Sequence, residues 1–107
     1  MKLIIAIINR DDAGAVIQNL SRNGFSSTRL STTGGFLLAG NVTLLIGVEE
    51  ERVQPAIDLI REQSHSRKQM VPAITEMSYG FMPAMPVEVT VGGATVFVVD
   101  VERFERL

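Results

Sequence analysis

One template occurs twice in this chain, forty residues apart, and it restricts the fold more than any other feature. LIIAII, residues 3 to 8, is a continuous apolar run of strand length, rich in isoleucine. Ala13, Val16, Ile17 and Leu20 follow at the i, i+3, i+4, i+7 spacing of one helical face. VTLLIGV, residues 42 to 48, is the second strand, and Val53, Ala56, Ile57 and Ile60 repeat the helical set with each number raised by forty. A period-2 or all-buried run followed by a 3.6-period run is a β-α unit, and two copies suit a duplicated design.

The boundaries of both helices are written in the sequence. Asn9 to Asp12 provide an N-cap and first-turn acids that suit the helix dipole, and Gly24 stands where a C′ glycine closes a helix. Glu49, Glu50 and Glu51 open the second helix in the same way. Between the units lies a Ser/Thr-rich strand over about 25 to 31. After the second helix, residues 64 to 86 show no sustained period and are expected to be a long loop. VEVTVGGATVFVV, residues 87 to 99, has two β-branched runs around Gly92-Gly93, a signal for a tight two-residue hairpin. DVERFERL at the end suggests a short helical turn.

The order is β-α-β-β-α-β with the last strand extended as a hairpin. It predicts an α+β, ferredoxin-like, antiparallel sheet with two helices on one face, in a single domain over 1–107. Runs such as LIIAII and ATVFVV are apolar on both sides, so the face opposite the helices would stay uncovered. Soluble monomers rarely expose apolar patches beyond a few hundred Å2, roughly, so self-association is expected.

Composition removes several function classes. A net charge of −2 argues against binding a nucleic-acid polymer. The chain has no cysteine, which excludes disulfides and thiolate metal sites and fits a reducing cytoplasm. The N-terminal apolar run is too short for a signal peptide or a membrane span, and the chain reads as cytoplasmic. His65 is the sole histidine and stands in a polar loop, and no Walker lysine or nucleophile elbow is present. We read the chain as non-enzymatic, without metal or cofactor.

Binding chemistry concentrates in STTGGFLLAGN, residues 31 to 41. Gly34-Gly35 after Thr32-Thr33 is either a hairpin turn or a backbone nest for an anion. Phe36, Leu37 and Leu38 are wasteful at an exposed turn unless they pack on a ligand or a neighbouring copy. Asn41 carries an amide able to read a nucleobase edge. Gly47, inside an apolar strand, marks either a bulge or a close approach. Met70, Met77, Met82 and Met85 fit a core or an adaptable protein-binding surface.

TTGGFLLAGN, LIGV, RVQPAIDLI and VEVTVGGATVFV together resemble the PII-like cyclic-di-AMP receptor proteins of bacteria, over Met1 to about Val99. The resemblance implies a homotrimer, with cyclic-di-AMP in each cleft between neighbouring subunits and no catalysis. It also implies a short loop after the second strand, here about eight residues from Thr32 to Ala39, and a long one after the second helix. The long loop would relay occupancy to a downstream protein. Position by position, it assigns Thr28 to the phosphate or ribose, Phe36 and Leu37 to the adenine pocket, Asn41 and the Gly47 backbone to the base edge, and Phe97 to the ligand from the sheet side, with Gly35 a ligand-binding position through its backbone. Ser26, Ser27 and Leu38 flank these positions. The chain departs from the family at Gly24 and Ser26, where an asparagine and a phosphate-binding arginine are usual. Arg29 would point to the opposite strand face, leaving Arg103 or Arg106 to supply the positive charge. Two other readings are a receptor for a different adenine nucleotide and a ligand-independent interaction adaptor.

Overall fold

The computed structural model describes residues 1–30, 40–72 and 86–107. The apolar run becomes β1, Lys2–Asn9, and α1 spans Arg10–Arg22. Asn9 caps the helix, its side chain accepting the Asp11 N–H at 2.9 Å. At the far end Gly24, at φ +83°, lets its own N–H reach the Ser21 carbonyl and that of Phe25 reach Leu20. This is a Schellman closure, and Leu20 and Phe25 meet in the core beneath it. β2 follows over Thr28–Leu30 and β3 over Asn41–Val48. A single 3-10 turn, Glu50–Arg52, leads into α2, Val53–Ser64.

Four strands form an antiparallel sheet in the order β2-β3-β1-β6, where β6 is Ala94–Asp100. The helices cover one face, as expected. Ile4, Ala6 and Ile8 of β1 and Val42, Leu44 and Ile46 of β3 meet Ala13, Val16 and Leu20 of α1 and Ala56 and Ile60 of α2. Asn19 ties the two helices, its amide donating to the Leu59 carbonyl and to Glu62, each at 2.9 Å. The repeated helical template therefore does in space what it does in sequence: both copies face one core.

Three local expectations are corrected. Gly92-Gly93 does not join a hairpin, because the strands on either side belong to different sheets. β5, Pro86–Val91, pairs with β4, Arg67–Pro72, in a separate two-stranded sheet, while β6 pairs with β1. The glycine pair, at φ +77° and +88°, is where the chain leaves one sheet for the other. Residues 64 to 86 thus begin with a strand, one whose polar Arg-Lys-Gln start gave no apolar signal. Val101–Leu107 forms no helix. A segment this short and exposed has too few helical hydrogen bonds to offset nucleation.

Candidate functional site

Alternation along the strands decides which side chains share the uncovered face. Leu3, Ile5 and Ile7 of β1 point away from the helices and are half-buried. Their partners on one side are Gly47, Leu45 and Thr43 of β3, and on the other Val99, Phe97 and Thr95 of β6. Phe97 is 52% exposed and Val99 43%, and Leu30 on β2 is also exposed. The greasy second face that the sequence implied is present in the single chain.

Four of the expected ligand residues, Thr28, Asn41, Gly47 and Phe97, lie on it. Thr28 pairs with Leu45, Leu45 with Ile5, and Ile5 with Phe97, so Thr28 and Phe97 occupy the two ends of one cross-strand row. Three inter-strand steps of ~4.8 Å place them roughly 14 Å apart. One chain does not bring them together. Gly47 heads the next row with Leu3 and Val99. It is exposed, and nothing lies within 4 Å of where a side chain would begin.

Asn41 sits at the end of β3, directly opposite Asn9 of β1. The Arg10 N–H donates to the Gly40 carbonyl at 2.6 Å, joining the approach to β3 to the start of α1. Asn9 and Asn41 share a polar cleft of about 350 Å3 with Ile7, Thr95 and the Gly92–Ala94 backbone. That volume is within the range of small-ligand sites. A larger cleft of about 440 Å3, between the end of α2 and the start of β6, holds none of the expected residues. The smaller is the better candidate because its amides and backbone groups converge.

The other expected residues are distributed as follows. Gly35, Phe36, Leu37 and Leu38, with the Thr-Thr-Gly-Gly nest, lie outside the described residues. Ser26 is exposed and Ser27 half-buried in the approach to β2. Arg29 pairs with Leu44, whose side chain is in the core, so it is on the helix-side face, opposite Thr28. Arg106 is exposed in the C-terminal segment, and Arg103 there pairs with Glu105 at 2.8 Å.

Asn9, which the sequence marks only as a helix cap, also lines this candidate cleft. A second feature had no sequence signal at all. Asp12, only 7% exposed, receives two hydrogen bonds from Arg67, Nη2 to Oδ1 at 2.9 Å and Nη1 to Oδ2 at 3.3 Å. The hydrogen bonds, with the carboxylate's charge, raise the Arg67 pKa above its ordinary value.

The chain is similar to a functionally unknown protein from Pediococcus pentosaceus of known crystal structure, with 42% identity over 99% of this chain and 96% of the other, at a TM-score of 0.76. No helix among the described residues is long and apolar enough to cross a membrane. The family model described as cyclic-di-AMP receptor matches residues 1–107, and the chain belongs to that family.

Proposed function

We propose that this protein is a non-enzymatic signalling receptor, in which copies associate through the open sheet face and cyclic-di-AMP binds in the seams between them. The observation that carries this reading is the row from Thr28 to Phe97. Two residues suited to one ligand stand at opposite edges of one exposed apolar face. In a closed ring of copies, the Phe97 edge of one subunit is presented to the Thr28 and Gly47 edge of the next. A homotrimer satisfies that geometry and is what the family resemblance implies. Asn41, at the end of the same strand as Gly47, would read the base edge with its amide. The segment after α2 would carry the signal to a protein partner.

Titration calorimetry with cyclic-di-AMP tests the ligand, and sedimentation tests the assembly. One site per subunit on a trimer is expected. No heat at tens of micromolar protein would remove cyclic-di-AMP from the reading.

A second reading is favoured by one observation. Ser26 is neutral, and Arg29 is turned to the other face of the sheet, so the strand supplies no positive charge beside Thr28. The same seam would then suit an adenine nucleotide with a different phosphate arrangement. A thermal-shift panel of mono-, di-, tri- and cyclic dinucleotides separates the two, since only the true ligand raises the melting temperature strongly.

A further inference from the structure

β4 and β5 form an arm that stands apart from the main sheet, and a two-stranded ribbon of this kind is marginally stable alone. The chain enters the arm at Ser64–Arg67 and leaves it at Val91–Ala94. Among the described residues, the following contacts tie this base down. The Gly93 N–H donates to the Ser64 carbonyl, and Arg67 reaches back to Asp12 at the start of α1. Arg67 Nη1 also donates to the His65 carbonyl at 3.3 Å.

Gly92 is where these groups cross. A Cβ there would lie 2.5 Å from Arg67 Nη1, 3.0 Å from the His65 carbonyl and 3.2 Å from Asp12 Oδ2. The ion pair is seated against bare backbone, and a side chain at position 92 would displace it. Asp12 is nearly buried in the first turn of α1, so without Arg67 its carboxylate would keep only the helix N-terminus to offset its charge. The Arg67 side chain is 42% exposed, so the two-pronged geometry and the buried carboxylate, not burial of both partners, set the pair apart from a fully exposed surface bridge. On the other side of the same junction, Gly92 and Gly93 form one wall of the cleft that holds Asn9 and Asn41.

We infer that Asp12 and Arg67 are positioning residues: their two-pronged ion pair latches the base of the β4–β5 arm and thereby fixes the glycine wall of the Asn9–Asn41 cleft. The latch stands on geometry alone, while its effect on cyclic-di-AMP rests on the function proposed above. Through it, occupancy of the cleft and orientation of the arm become one equilibrium, which each side biases.

The absence of cysteine makes a direct test simple. Cysteines placed at Gln18 on α1 and Thr90 on β5, both exposed, carry spin labels, with labelled chains diluted into unlabelled ones. Pulsed EPR without ligand should give one narrow distance in the parent chain. Arg67→Ala and Asp12→Asn should broaden it, and Arg67→Lys should restore part of the narrowing, since it keeps charge but not the fork. Amide exchange in β1 should stay unchanged in the variants, which a general loss of stability would not allow. Cyclic-di-AMP affinity should fall about tenfold in Asp12→Asn. An unchanged distance distribution in Asp12→Asn overturns the latch. Broadening with unaltered affinity overturns the link to the cleft. A parent chain that fails to bind cyclic-di-AMP sinks the ligand reading, and the ligand-free distances still decide the latch.

Discussion

Replacing Phe97 by aspartate separates the stability of the subunit from the stability of the assembly. Phe97 is 52% exposed in the single chain. An enclosed phenylalanine buries roughly 150–250 Å2, so a partner would remove about 100 Å2 more from water at this side chain. At ~25 cal/mol/Å2 that contributes about 2.5 kcal/mol per subunit to association, as an upper estimate. An aspartate in the same seam loses that gain and adds a desolvation cost of several kcal/mol, roughly. Together these weaken association by about three decades or more. Within a lone subunit the position is solvent-facing on an edge strand, so folding stability should change by only about 1 kcal/mol. Sedimentation velocity at micromolar concentration, with circular dichroism and thermal unfolding, reads both quantities. The parent chain should sediment as an oligomer and Phe97→Asp as a folded single chain. A parent chain that sediments as a folded monomer refutes the reasoning, as does a variant of unchanged assembly mass.

Three further outcomes are expected. Leu44→Ala empties a fully buried site between the sheet and the helices and should cost about 2–5 kcal/mol in urea unfolding; a loss below about 1 kcal/mol would contradict a close-packed core there. A Cβ added at exposed Gly47 meets no atom within 4 Å, so Gly47→Leu should leave folding unaffected while cyclic-di-AMP binding weakens about tenfold or more; calorimetry that finds parental affinity takes Gly47 out of the site. Lys2 and Asp100 are register partners at the end of the sheet, and the hydrogen bond from Lys2, then its charge, lowers the Asp100 pKa, while the same bond raises that of Lys2. The Asp100 contribution is therefore present above its unfolded pKa and lost as pH falls through the depressed folded one, and the Lys2 contribution is present below its unfolded pKa and lost as pH rises through the raised one. An NMR titration should find the Asp100 carboxyl below the usual carboxylate range in the parent chain and close to that range in Lys2→Met; an identical midpoint in both removes the pair.

Much of the fold was legible because the relevant information is local. Ala13, Val16 and Leu20, and then Ala56 and Ile60, were expected on one helical face and are all buried in the core. Gly24 was expected to close α1 and does so in a Schellman motif. Thr28, Gly47 and Phe97 are on three different strands and share a face only through the register of β2, β3, β1 and β6, which alternation within each strand does not fix. Val91 and Ala94 were less transparent. The two-glycine spacing is compatible with a hairpin, and only competition from β1 and β4 for those strands excluded it. Arg67-Lys68-Gln69 hid a strand for a related reason, since its pairing with β5, not its own hydrophobicity, makes it one.

The sequence by itself determined the two β-α units, the capped start and glycine-closed end of α1 and the apolar face of each helix, because periodicity and capping depend on residues a few positions apart. Only the tertiary structure decided that the glycine pair joins two sheets, that Asn9 faces Asn41, and that Asp12 meets Arg67 across the base of the arm. Those choices rest on contacts between distant segments, where a one-dimensional pattern permits several partners and packing selects one.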